Sequence, residues 1–163
     1  VTTYGTVADA DAYHSARGNA EWTSATDKEI KLLRASEFVD TYRARFPGSK
    51  AGGRSQEREW PRRGAIDTAG DLIADDEIPS EVERATYEAA LLVVKGIPLS
   101  EIPLSGTSSG TVTRKRVKAG PVETETEYDT NGTGRPFFQN IADILEPVIN
   151  GRRFGASVEL TRV

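Results

Sequence analysis

The sequence predicts a mainly α protein built from four helical segments, a β-hairpin and an extended C-terminal arm. Three observations carry this. Apolar residues recur at three- and four-residue steps in segments that open on capping residues and close on glycine. A Val- and Thr-rich stretch, Thr111 to Asp129, turns at Gly120-Pro121, and the last dozen residues alternate apolar with polar or small side chains.

Thr6-Val7-Ala8-Asp9 has the spacing of an acidic capping box, and a short first helix runs on through Ala12 and Ala16 to a stop at Gly18. Thr26-Asp27-Lys28-Glu29 repeats the signal more strongly and opens a helix from about Asp27 to Phe46, ended by Pro47-Gly48. Leu32, Ala35, Val39, Tyr42 and Phe46 form its apolar stripe, which Ile30, Leu33 and Phe38 broaden, while Lys28, Lys31, Arg34 and Asp40 face elsewhere. From Ser49 to Ile78 periodicity is lost, so the connection 47–79 reads as a long structureless loop, a kind that is functional or packed on something else. Ser80-Glu81-Val82-Glu83 is a third capping box, and Val82, Ala85, Ala89, Leu92 and Val93 carry its helix to Gly96.

Placing Gly120-Pro121 in a two-residue turn sets the hairpin register. Lys118 then faces Glu123, Arg116 faces Glu125 and Arg114 faces Glu127, with Ala119–Val122, Val117–Thr124, Lys115–Thr126 and Thr113–Tyr128 on the other face. A hairpin this polar is marginal alone and calls for a second surface. A last helix covers Phe137 to Ile149, with Phe137, Ile141, Ile144, Leu145 and Val148 apolar and Pro147 bending or shortening it. In the tail 151–163, Phe154, Ala156, Val158 and Leu160 have the period of a half-buried strand with no partner strand nearby in sequence. An arm reaching another molecule and a frayed terminus are both open readings.

The 163 residues suit one ordinary domain, and the absence of Cys excludes disulfide and thiolate chemistry. The longest apolar run, Ala89 to Val94, is far short of the roughly 20 residues that span a bilayer. No basic, apolar, cleavable leader is seen, and Val1 is small enough to follow an excised initiator, so the expectation is a soluble protein of a reducing compartment. No metal, cofactor or catalytic set is expected. His14 has no Cys or second His to join it and reads as a solvated helix residue. Asp75-Asp76-Glu77 lacks the alternating ligands of a calcium loop, and the Gly-rich pieces lack a following Gly-Lys-Ser/Thr.

Charge is segregated along the chain. Residues 43–63 carry seven Lys and Arg against two Glu, a net of +5, whereas residues 64–90 carry one Arg against eight Asp and Glu, a net of -7. A basic loop holding Trp60 among Arg54, Arg58, Arg62 and Arg63 suits single-stranded nucleic acid, with arginines on phosphates and the indole as a stacking platform. The competing reading makes Trp60 a cap on the core and pairs the arginines with the acidic residues of the next loop or of a second subunit. The overall charge of -4 favours the latter.

The run Val7-Ala8-Asp9-Ala10-Asp11-Ala12-Tyr13-His14, then Arg17-Gly18-Asn19-Ala20-Glu21-Trp22, Leu33-Arg34-Ala35, Trp60-Pro61-Arg62, Ile78-Pro79 and the hairpin around Val117-Lys118-Ala119-Gly120-Pro121-Val122-Glu123, resembles the head-tail connector adaptor family of tailed bacteriophages. Related sequences are often labelled DnaT-like single-stranded-DNA-binding proteins. The resemblance extends to about Asn150. It implies a small helical bundle, residues 1–150, that includes the loop and a projecting hairpin and is followed by an arm, 151–163. It further implies a structural virion protein of the neck, present in host cytoplasm during assembly. That protein would form a ring of about twelve copies between portal and stopper or tail-terminator proteins, with genomic DNA passing through and no membrane involved. Phe154, Val158, Leu160 and Val163 would then bind the portal, and Arg114, Arg116, Lys118, Glu123, Glu125 and Glu127 would face a ring neighbour. The alternative function is a single-stranded-DNA-binding module.

Overall fold

A computed structural model describes residues 2–99, 112–118, 123–128 and 138–149. The chain divides into two units, Val1–Ile97 with Phe138–Val163, and Pro98–Phe137. The fold is mainly helical with a small β-hairpin.

In the helical unit, α1 (Val7–Ser15) opens as its capping residues dictate. Thr6 Oγ1 accepts from the Asp9 amide at 3.2 Å and donates to Asp9 Oδ2 at 2.6 Å. Gly18, at φ +68°, turns the chain into α2 (Ala20–Thr23), a single turn with no periodicity for the sequence to show, which makes five α-helices where four were expected among the described residues. Next comes α3 (Lys28–Asp40), which is shorter than the stripe to Phe46 implied: a 3-10 turn, Thr41–Ala44, takes over after Asp40. Its N-cap is Asp27, in the left-handed region at φ +51° and without a side-chain cap, so the expected Thr26 box does not form. The Thr26 carbonyl instead accepts from the Lys31 ammonium.

The chain then forms α4 (Ser80–Val94), the central helix, which packs against α1, α2, α3 and α5 (Gln139–Ile149). Here too the box is not made: Pro79 is the N-cap, its carbonyl accepting from the Val82 and Glu83 amides. The helix ends as read, at Gly96. The Gly96 amide bonds the Val93 carbonyl and the Ile97 amide bonds the Leu92 carbonyl, the paired closure that a left-handed glycine permits. In the last helix, α5, the turn reaches Ile149 with Pro147 inside it, and the Pro147 carbonyl accepts from the Thr68 amide at 2.9 Å.

The core joins Leu32, Ala35, Phe38 and Val39 of α3, Val82, Ala85, Ala89 and Ala90 of α4, and Ile141, Leu145 and Val148 of α5. Tyr4, Trp22 and Trp60 are the large side chains that close it. Ile30, read as part of the stripe, is 54% exposed, because it lines an open groove with Val7 and Ala8 of α1 rather than the core.

The connection 47–79 is built rather than structureless. Strands β1 (Ser49–Lys50) and β2 (Arg62–Arg63) pair antiparallel, Ile66 bridges Leu72, and Asp67 Oδ1 accepts from the Gly70 and Asp71 amides at 2.8 Å each. Its order comes from side chains bonding backbone: Gln56 alone links the Gly52 amide and the Arg58 and Pro61 carbonyls.

The second unit is described by its hairpin, β3 (Val112–Lys118) with β4 (Glu123–Tyr128). The register matches Lys118–Glu123, Arg116–Glu125 and Arg114–Glu127 as expected. The far end differs: Val112, not Thr113, pairs with Tyr128, the register shifting between Val112 and Arg114.

Two glycines separate strain from space. A Cβ on Gly18 meets nothing within 4 Å, whereas one on Gly5, at φ +74°, would overlap the Tyr87 hydroxyl. Gly18→Ala should cost about 1 kcal/mol from backbone conformation alone. Gly5→Ala should cost roughly 3 kcal/mol, since overpacking adds to the same strain. Urea unfolding of the two variants checks the difference, and equal costs would contradict the packing of Tyr87 on Gly5.

Candidate nucleic-acid and assembly surfaces

Trp60 is 1% exposed, with Phe46 edge-on at 5.6 Å between ring centroids. It is an interior residue and offers no face for a base to stack on. Its neighbours hold it there. The Asp40 carboxylate at the end of α3 accepts from the Tyr4 hydroxyl at 2.5 Å, from Arg58 Nη1 at 2.9 Å and from the Glu59 amide at 3.2 Å. The Tyr4 oxygen in turn accepts from the Trp60 amide at 3.1 Å. Burial, and after it the bond to Asp40, pushes the Tyr4 phenol far above its ordinary range, so it stays a donor.

The two inner arginines are equally engaged. Arg58, 5% exposed, also reaches the Thr2 carbonyl through Nε at 2.7 Å. Arg62, 6% exposed, bonds the Pro47, Gly48 and Glu59 carbonyls and the Glu59 carboxylate, the last at 3.0 Å. It works as a staple across the loop, which its guanidinium fork suits. Lys50 pairs with Glu59 at 3.3 Å, and Arg63, exposed, pairs with Asp75 at 3.3 Å. Arg54 is exposed on the 3-10 turn Gly53–Ser55.

The basic loop read from sequence therefore separates into buried Arg58, Trp60 and Arg62 and surface Arg54 and Arg63. The expected pairing with the next acidic segment holds for Arg63, whereas Arg58 and Arg62 turn inward to Asp40 and Glu59. Sequence reasoning missed Tyr4 and Asp40, and no spacing marks them: their partners lie 18 to 56 residues away.

His14 is corrected as well. It is fully buried rather than solvated, tilted on Trp22 at 4.7 Å. Nε2 faces the Tyr87 carbonyl at 3.2 Å and so donates, while Nδ1 accepts from the Asn19 side-chain Nδ2 at 3.0 Å. Both contacts are met by the neutral ring, and burial lowers the His14 pKa. Close by, Trp22 Nε1 and Lys28 share Asp11 Oδ1 at 2.7 and 2.8 Å, and the Lys28 bond holds that carboxyl below its usual range.

Over residues 2–97 and 138–149 the helical unit carries thirteen Lys and Arg against nineteen Asp and Glu, a net of -6. Cations concentrate on β3, where Arg114, Lys115, Arg116 and Lys118 fall within seven residues opposite a glutamate-rich strand. Phe154, Val158, Leu160 and Val163 lie outside the described residues. Among the described residues no cluster of three or more His, Cys, Asp and Glu is placed to hold a metal ion, and no helix is long and apolar enough to cross a membrane.

Two outcomes follow from this geometry. Arg58→Met should lower stability by about 3 kcal/mol, because it strands Asp40 in a partly buried site, whereas Arg54→Met should leave the urea midpoint unchanged. For His14 the unfolded ring takes its proton near 6.5 and the folded ring only at lower pH. Stability should therefore fall as pH drops from 7.5 to 5.5, and His14→Gln should flatten that slope.

No curated protein matches the chain, and no solved structure does. A family match covers residues 1–163, the whole sequence, and the family's description is "Putative DnaT-like ssDNA binding protein". The chain belongs to that DnaT-like family.

Proposed function

We propose that the chain is a structural adaptor of a phage neck, a ring-forming protein seated between portal and stopper or tail proteins that extends the DNA channel. The observation that carries this reading is the β3–β4 hairpin: a two-stranded ladder with Arg114, Arg116 and Lys118 in register with Glu127, Glu125 and Glu123. Two strands are too few to be stable by themselves in water, and exposed opposite-charge pairs add little. Such a ladder is completed by a neighbour, and identical copies arranged head to tail around an axis supply one. The resemblance carried by Val7 to His14 and Trp60 to Arg62 supports the same reading. The role is interface formation and needs no catalytic step or cofactor. In this reading the segment 151–163, which carries Phe154, Val158, Leu160 and Val163, binds the portal.

A second reading, a single-stranded-DNA-binding module, is favoured by the family description. The buried Trp60, Arg58 and Arg62 remove the loop first expected to carry it, and the net of -6 over residues 2–97 and 138–149 opposes a phosphate backbone. It would rest instead on the β3 cations.

Two measurements separate the readings. Negative-stain images of the protein mixed with its cognate portal should show a ring on the portal stem, and a variant lacking residues 152–163 should fold but fail to join. Portal particles that stay bare with the full chain would overturn the adaptor role, and normal attachment of the truncated chain would overturn the arm. Titration of a labelled oligothymidine at two salt concentrations should show no salt-steep binding. Tight, salt-sensitive affinity lost in Arg116→Glu would establish the second reading.

A further inference from the structure

The β3–β4 ladder has two strands and so two open edges, one on each strand. In an antiparallel ladder every second residue turns its N–H and C=O away from the partner, so each strand offers about three such pairs outward. Neither Val112–Lys118 nor Glu123–Tyr128 contains proline, the residue that would remove an edge donor. Among the described residues the remaining strands, β1 and β2, are two residues long and paired with each other, so a strand of matching length has to come from elsewhere.

The two edges differ in sign. β3 carries Arg114, Lys115, Arg116 and Lys118 and no acid, whereas β4 carries Glu123, Glu125 and Glu127 and no base. Pairing like strands of two copies, β3 on β3 or β4 on β4, sets one sign of charge opposite itself, which destabilises a ladder. Charged edges guard a strand against its own kind in this way. β3 on the β4 of another copy has the opposite result, and the strand directions agree. β4 runs antiparallel to its own β3, and in copies related by rotation about one axis it runs equally antiparallel to the β3 of its neighbour.

We propose that the open edge of β4 pairs with the open edge of β3 from the adjacent copy, so that the hairpins join edge to edge into one closed, alternating ladder. This rests on the ring reading and names the partner surface within it. Rotation presents the same face of every hairpin to the axis, which restricts the register. Glu123, Glu125 and Glu127 share a face with the neighbour's Arg114, Arg116 and Lys118 as they do with their own, because a one-residue slip carries one set to the other face. Each row of glutamates then lies between two rows of cations, one from its own chain and one from the next. Both edges of every hairpin are used, and none is left to recruit further chains. The register shift between Val112 and Arg114 suits a ladder that curves round an axis, since a bulge adds bend and twist to its strand.

Exchanging the signs tests this without breaking the hairpin. A variant with Arg114→Glu, Arg116→Glu, Lys118→Glu, Glu123→Lys, Glu125→Lys and Glu127→Lys keeps opposite charges across its own ladder and should form rings with itself on the cognate portal. Its β3 would meet the glutamates of a wild-type β4. Capture of untagged wild-type chain by the tagged variant should therefore fall at least tenfold below capture by tagged wild type. Undiminished capture would overturn the proposal, as would a variant that fails to form rings with itself. The chain has no Cys, so single thiols give a second measure. Rings of Glu125→Cys mixed with Arg114→Cys, Arg116→Cys or Lys118→Cys should, in at least one mixture, oxidise to a mixed dimer tenfold or more above Glu125→Cys with Val117→Cys. Equal yields would overturn the proposal. Rings that form without regard to hairpin charge remove this pairing and keep the adaptor role, whereas bare portal particles with the wild-type chain remove the role itself.

Discussion

The Asp40 carboxylate is the point on which the helical unit closes. It stands at the C-terminal end of α3, where the helix dipole disfavours negative charge, and it is kept there by three donors from three places: the Tyr4 hydroxyl, the Arg58 guanidinium and the Glu59 amide. These bonds bring the N-terminal segment, the end of α3 and the loop before β2 together, and they deliver the Trp60 amide to the Tyr4 oxygen. The indole then has nowhere to go but inward. From that follows the placement of Arg62 over the Pro47 and Gly48 carbonyls and the short β1–β2 pair. A loop rich in arginine is in this way turned from a surface into a structural joint.

Much of the helical fold is legible in the sequence, because it rests on periodicity and on local caps. The α1 cap at Thr6, the α4 stop at Gly96 and the apolar residues Ile141, Leu145 and Val148 of α5 all act within a few residues of themselves. The hairpin register is legible for the same reason, since the turn expected at Gly120-Pro121 predicts every pair from Lys118–Glu123 to Arg114–Glu127. The loop 47–79 is not. Its order depends on Asp40, Tyr4 and Thr2, which no spacing connects to Arg58 or Trp60. His14 misleads in the same way: its burial is set by Trp22 and by the Tyr87 carbonyl 73 residues on, and a helical position alone carries neither.

The charge pattern changes meaning on folding. The +5 segment loses Lys50, Arg58, Arg62 and Arg63 to ion pairs within the same unit, and the acidic remainder leaves residues 2–97 and 138–149 at -6. What stays incomplete among the described residues is a polar two-stranded ladder, too small to be stable by itself in water. The chain belongs to a DnaT-like family, yet the aromatic, basic element that a single strand would use, Trp60 with Arg58 and Arg62, is in the core.

Intrinsic fluorescence tests that fact most directly, because the chain has two tryptophans, each 1% exposed. The account predicts blue-shifted emission that resists acrylamide and does not change when an excess of oligothymidine is added at low salt. Red-shifted emission that acrylamide reaches and oligothymidine quenches would place an indole at the surface, stacked on bases, and would contradict the account.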